Sequence, residues 1–188
     1  MAALYGPGAN RVYRGALLVL AATAAAVVAA PMFFVRSPYA AGVGDPVEQP
    51  IAFDHRHHVR DDGIDCLYCH DTADTGAGAG MPATARCMGC HGQVRPDSPV
   101  LEPLREAWRT GEPIRWRRIN SVPSYVYFHH GVHVHAGIAC ARCHGAVEDM
   151  ARVVRVHGMT MDFCVDCHRE AQGSRAITHL TTCSACHR

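Results

Sequence analysis

No lysine occurs in this chain of 188 residues; all 18 basic residues are arginine. Against 17 acidic residues they leave a formal net charge of +1, so no global field draws a nucleic acid. Aromatic residues make up 7% of the chain, little bulk for a protein core of this length. No cysteine stands outside a C-x-x-C pair, and all ten are used in such pairs. No thiol is therefore left over for an iron–sulfur cluster, a structural disulfide or a separate Cys-based zinc site.

What is present is a C-x-x-C-H motif in five copies: Cys66/Cys69/His70, Cys87/Cys90/His91, Cys140/Cys143/His144, Cys164/Cys167/His168 and Cys183/Cys186/His187. One copy alone is compatible with half a zinc site, a redox-active pair or a disulfide. A histidine after every second cysteine has no purpose in those chemistries. It has one in c-type haem attachment, where two thiols on one helical turn form thioethers with the haem vinyl groups and the next residue offers an imidazole to the iron. The reading is five covalent c-type haems, with His70, His91, His144, His168 and His187 as proximal ligands. Five porphyrins also supply the apolar bulk that the aromatics do not. A lysine-ligated catalytic haem is excluded, because there is no lysine.

Fourteen histidines less the five proximal ones leave nine. "FDHRHHVRDDGIDCLYCH" (53–70) and "FHHGVHVHAGIACARCH" (128–144) form an internal repeat. Phe53 aligns with Phe128, His55 with His130, His58 with His133 and Val59 with Val134. After a one-residue offset Gly63-Ile64 aligns with Gly137-Ile138. The shared F-x-H-x-x-H selects His55, His58, His130 and His133 as distal ligands of four irons. Spaced i, i+3, the two histidines of a pair share one side of a helix while diverging enough to serve two haems. His57, His129 and His135 fall outside that register. For the fifth iron the choice is Met150, over Met159, Met161, His157 and His179; a thioether ligand raises the potential relative to a second imidazole.

Each repeat continues through a Gly-Met pair (Gly80-Met81, Gly158-Met159) to a second haem motif. The expected fold is mostly α and irregular with little or no sheet. It is a compact multihaem cytochrome c domain (53–188) with dihaem modules at 53–91 and 128–168, a connector at 92–127 and a terminal haem segment at 169–188. Residues 71–80 read as a flexible loop. Leu101, Leu104 and Trp108 mark one face of a connector helix stopped by Gly111 and Pro113. Arg115, Arg117 and Arg118 around Trp116 form a basic turn, a haem-propionate contact or a partner contact.

Ahead of this domain Gly15–Val35 carries no charge and is long enough for the roughly 30 Å hydrocarbon core of a bilayer. It reads as a retained transmembrane anchor (15–36) rather than a cleaved signal peptide, with a cytoplasmic N-terminus (1–14) and a polar linker (37–52). Arg11 and Arg14 favour the short N-terminal side inside. Haem attachment outside the cytoplasm agrees, which gives an inner-membrane, single-pass protein with its haem domain on the periplasmic side. Ala21, Ala25 and Ala29, like Ala22, Ala26 and Ala30, make small-residue faces for neighbouring membrane helices.

The paired F-x-H-x-x-H-V elements, the Pro82 approach to "CMGCH", "SPVLEPLREAWRTGEPIRW", "PSYVYFHHGVHV" and "CARCHGAVEDMARVV…MTMDFCVDCHR" resemble the pentahaem cytochrome c subunit of bacterial alternative complex III, a quinol:electron-acceptor oxidoreductase. The modules also resemble small c3- and c7-type multihaem cytochromes. The resemblance implies an electron-transfer subunit, not an enzyme by itself, in a respiratory or photosynthetic complex. Its implied partners are an iron–sulfur protein subunit, polytopic membrane subunits that oxidise quinol, and a monohaem cytochrome c or terminal oxidase as acceptor. Two other functions fit the motifs: a membrane-anchored multihaem quinol dehydrogenase, and a periplasmic multihaem reductase, which needs an iron with an open position.

Overall fold

The computed structural model describes residues 6, 8–175 and 179–187. Parts of the expected N-terminal segment (1–5 and 7) and of the terminal haem segment (176–178 and 188) lie outside the described residues. The chain divides into two units, Met1–Gly42 and Val43–Arg188.

The first unit is helix α1, Ala9–Arg36, six residues earlier in its start than the uncharged run. Its 28 residues at about 1.5 Å each give about 42 Å. It is long and apolar enough to cross a membrane, with mean hydropathy 2.3 in its most apolar stretch. Val19, Leu20, Val27, Val28 and Phe33 are all exposed along it. Ser37 ends the helix: its hydroxyl donates to the Phe34 carbonyl (2.7 Å) and accepts from the Ala40 N–H (3.2 Å).

The second unit is a series of short helices joined by irregular chain. They are α2 (Cys66–Cys69), α3 (Thr84–His91), α4 (Glu102–Thr110), α5 (His130–His135), α6 (Ala141–His144), α7 (Met161–Arg175) and α8 (Cys183–Cys186). Four of the haem motifs lie in helices of four to eight residues, and the fourth opens the longer α7. Among the described residues there is no strand, only the isolated bridges Val43–Arg155 and Pro46–Val154. Buried apolar side chains are few: Ile51, Ala73, Leu104 and Ala107 among the described residues. A polypeptide this poor in buried side chains has little hydrophobic drive of its own, which suits a chain packed around large apolar groups.

The connector helix α4 forms and stops at Gly111 (φ 75°) as its sequence predicts. Its buried face differs. Leu104 and Ala107 point inward, and Trp108 is exposed, because the face that packs runs through the i, i+3 position rather than i, i+4. The 71–80 segment is a loop, closed by Thr72: its carbonyl accepts from Gly76 N–H (2.7 Å) and its hydroxyl donates to Gly78 (3.0 Å).

The two repeats build the same corner with different helices. In the second, α5 closes with an i→i+4 bond from Ala136 N–H to Val132. In the first, the extra residue between His58 and Gly63 is absorbed as a π-helical turn, Arg56–Asp61, closed by Asp62 N–H to His57. A one-residue insertion in an α-helix gives this local widening. Both copies end alike. Gly63 (φ 70°) and Gly137 (φ 74°) adopt the left-handed conformation open to glycine. The next isoleucine N–H, Ile64 or Ile138, then returns to the carbonyl of His58 or His133 (2.9 and 3.0 Å).

Candidate haem-ligand sites

The phenylalanine of F-x-H-x-x-H is a wedge between its two histidines. Phe53 meets His55 edge-on (4.7 Å, 83°) and stacks on His58 (4.5 Å, 22°). Phe128 repeats this with His130 (4.7 Å, 89°) and His133 (4.5 Å, 29°). The first ring of each pair is thereby turned away from the second, so one helical turn presents two imidazoles in two directions.

Three of the four rings face a histidine of a C-x-x-C-H motif. His58 faces His91 with ring centroids 6.1 Å apart, His130 faces His144 at 6.3 Å, and His133 faces His168 at 6.1 Å. Metal–imidazole bonds are about 2 Å long, so two rings on opposite sides of one metal have centroids about 6 Å apart. For His55 the tie to a motif histidine is electrostatic: His70 is the charged neighbour that acts on it most. Burial first, then His70 and His58, push His55 down to about 4. Burial first, then His130 and His70, also lower His144. Burial thus favours the neutral form of both rings, the form that ligates a metal.

The other ring nitrogen tells the same story. A histidine bound through Nε2 keeps its proton on Nδ1 and normally donates it to an acceptor that fixes the ring. Nδ1 of His70 faces the Gly80 carbonyl (2.9 Å), that of His91 faces Val94 (3.1 Å), that of His168 faces Leu180 (3.0 Å) and that of His187 faces Tyr125 (3.2 Å). On the opposite sides, His58 faces the Asp54 carbonyl (3.1 Å), His130 faces Ala77 (2.8 Å) and His133 faces His129 (2.9 Å). His144 faces the side chain of Asn120 (3.0 Å). His55 Nδ1 is buried with no such acceptor among the described residues. His57, His129 and His135 are exposed, and His57 pairs with Asp61 (3.1 Å) instead.

The cysteines do not converge as a zinc site would have them. Among the described residues no three His, Cys, Asp or Glu side chains gather around one point. Desolvation raises the thiols of Cys66, Cys69, Cys87, Cys143 and Cys164. Exchange-active and zinc-binding cysteines need lowered thiols. The neighbours that raise them further order the motifs in space: Cys69 acts on Cys87, Cys140 on Cys66, Cys167 on Cys143, and Cys186 on Cys164. The motifs therefore adjoin in the order second, first, third, fourth, fifth.

The first and third motifs are joined through the 71–80 loop. Its Gly80 carbonyl orients His70, and its Ala77 carbonyl accepts from both the backbone (3.2 Å) and Nδ1 of His130. Gly131 N–H donates to Gly76 (3.1 Å). Sequence reasoning missed this loop as a structural part, and it missed Asn120. The fifth motif docks on the end of the connector: Tyr127 N–H donates to Cys186 (2.8 Å) and the Tyr125 ring stacks on His187 (5.8 Å, 28°).

Met150 is half-buried near Gly145 and Val156, beside the third motif. Of the other candidates for the fifth iron, Met161 is exposed, Met159 has a left-handed backbone (φ 50°), and His157 stacks on Phe163 (4.6 Å). The carbonyl of His179 accepts from the Thr182 hydroxyl (3.0 Å). Trp116 lies edge-on to Phe53 (6.3 Å), and Arg117 is fixed through its backbone by a two-way bond with the Gln49 amide (2.9 Å each way). The side chains of Arg115, Arg117 and Arg118 are exposed.

No protein-family model matches the chain. It is similar to the protein of Nitratidesulfovibrio vulgaris (Hildenborough) named menaquinone reductase, multiheme cytochrome c subunit, with 34% identity over 134 residues. That stretch is 70% of this chain and 57% of the relative, so the chain spans a little over half the length of the curated protein it matches. The paired imidazoles and repeated C-x-x-C-H motifs thus stand in a chain whose similarity is to a multihaem cytochrome c subunit.

Proposed function

We propose that this chain is an electron-transfer subunit of a membrane quinone-linked complex, carrying five covalent c-type haems. The observation that carries the reading is the set of facing imidazoles, His58/His91, His130/His144 and His133/His168, at 6.1 to 6.3 Å. Cys66, Cys69, Cys87, Cys90, Cys140, Cys143, Cys164, Cys167, Cys183 and Cys186 hold the five groups. His70, His91, His144, His168 and His187 would each offer one ligand; His55, His58, His130 and His133 would offer the second to four of the groups, and Met150 to the fifth. The bound haems supply reversible one-electron iron chemistry. The protein's part would be to fix the paired rings through their Nδ1 partners and present them to the bound groups. The facing pairs at His91, His144 and His168 support a relay over the multihaem reductase, which needs an open iron.

The spatial order of the motifs is the proposed electron path: second, first, third, fourth, fifth. Helix α1 anchors the chain in the inner membrane with 53–188 on the periplasmic side, after the 1–14 and 37–52 segments. The partners are an iron–sulfur protein subunit, polytopic membrane subunits, and a monohaem cytochrome c or terminal oxidase. Two directions of flow follow from two likenesses. The motifs' resemblance to alternative complex III supports quinol oxidation, whereas the curated relative's name supports menaquinone reduction. Purification of the complex from mild detergent, followed by assay of both half-reactions, decides between them. An isolated chain that oxidises quinol unaided overturns the subunit reading in favour of a self-sufficient quinol dehydrogenase.

A further inference from the structure

We infer that Asn120 is the positioning residue that sets the tautomer of His144 and, through it, the potential of the third haem. The inference rests on the haem reading above. The other four motif histidines direct Nδ1 at backbone carbonyls, which no side-chain substitution alters. His144 alone among the five directs it at a side chain, the Asn120 amide, 3.0 Å away.

The present orientation of that amide places its Nδ2 toward His144 Nδ1. An N–H cannot donate to a nitrogen that carries its own proton. With Nδ2 as donor, His144 Nδ1 is an acceptor and the proton sits on Nε2, the nitrogen that iron requires. Meanwhile Asn120 Oδ1 is buried without a hydrogen-bond partner. Amide nitrogen and oxygen are exchanged by a half-turn of the side chain. That half-turn sacrifices no bond on the oxygen's side, makes Oδ1 the acceptor of the Nδ1 proton, and frees Nε2. The backbone leading into Asn120 is held in place: Arg155 donates from Nε (3.1 Å) and Nη2 (2.8 Å) to the Ile119 carbonyl, and the Gln49 amide pins Arg117.

An acceptor on Nδ1 raises the basicity of a ligating imidazole and favours the ferric state. An anionic acceptor does so more strongly, and a missing acceptor less. Asn120→Asp therefore lowers the potential of one haem and Asn120→Leu raises it. The expected size is about tenfold in that haem's ferric:ferrous ratio at fixed potential, or about 59 mV for a one-electron couple. The experiment is potentiometry of the full haem-loaded chain in detergent, followed optically and by EPR. The responsive haem is identified as the one whose low-spin signal is lost in His130→Ala. Opposite shifts of that one haem, with the other four unmoved, support the inference. No shift, shifts of the same sign in both variants, or shifts spread over all five haems overturn it. The wild-type haem mass and low-spin count test the haem reading separately: five low-spin haems with inert Asn120 variants overturn the role of Asn120 and leave that reading standing.

Discussion

Gly131→Ala strikes the junction between the two modules without touching a ligand. A Cβ at this position sits 2.5 Å from the Asp74 carbonyl oxygen, 3.1 Å from the Asp74 carbonyl carbon and 3.2 Å from His129 Cε1. Ordinary contact begins near 3.4 Å, so backbone has to withdraw by roughly 0.9 Å. The two shortest contacts are main chain, so turning the His129 ring aside does not relieve the clash. Withdrawal of the 71–80 loop stretches the 2.8 Å bond from His130 Nδ1 to Ala77 beyond hydrogen-bond range and loosens Gly131 N–H from Gly76. Overpacking of this kind costs about 1–3 kcal/mol, and a lost hydrogen bond adds about 1 kcal/mol. At roughly 2–4 °C per kcal/mol for a unit of this size, the midpoint falls by about 4–16 °C. The assay is thermal unfolding of the haem-loaded chain, with CO binding after reduction. We expect five haems still attached, a lowered midpoint, and CO binding at one haem more than in the wild type. Gly78→Ala is the control, since a Cβ there meets nothing within 4 Å. An unaltered Gly131→Ala protein, or a Gly78→Ala protein affected as much, refutes the reasoning.

Phe53→Ala and Phe128→Ala remove the wedges; each is expected to destabilise by about 1–3 kcal/mol, less than a fully buried phenylalanine, and to broaden the low-spin EPR signals of the two haems served by that repeat. Met150→Leu is expected to abolish the near-infrared band of a sulfur-ligated ferric haem and to lower the fifth haem's occupancy of the low-spin state; an unchanged band sends the assignment to Met159 or Met161. Deletion of residues 9–36 behind an exported leader is expected to release a water-soluble haem protein of unchanged spectrum, checked by fractionation without detergent.

The attachment motifs were legible because covalent chemistry fixes both residue type and spacing. The distal histidines were legible because the repeat preserves a phenylalanine as well as two imidazoles, and the structure gives that phenylalanine its wedge geometry. The one-residue offset between the repeats was visible, but its π-helical form depends on hydrogen bonds that no residue type encodes. Most Nδ1 acceptors are backbone carbonyls, which leave no mark in a sequence. Asn120 does leave a mark, yet it lies 24 positions before His144 in an irregular segment where no periodicity singles it out. Trp108 misled because bulk was taken for burial, whereas the smaller Ala107 faces inward.

The proposal stands or falls on His55, His58, His130 and His133 each completing a different iron. The direct measurement counts low-spin haems by EPR and CO binding after reduction in His55→Ala, His58→Ala, His130→Ala and His133→Ala, with intact mass recorded for each. The account predicts that each substitution opens one haem, a different one each time, while all five haems remain attached. His57→Ala and His129→Ala, one exposed residue beside each pair, are predicted to open none. Haems opened by those two controls and left closed by the four named substitutions would contradict it.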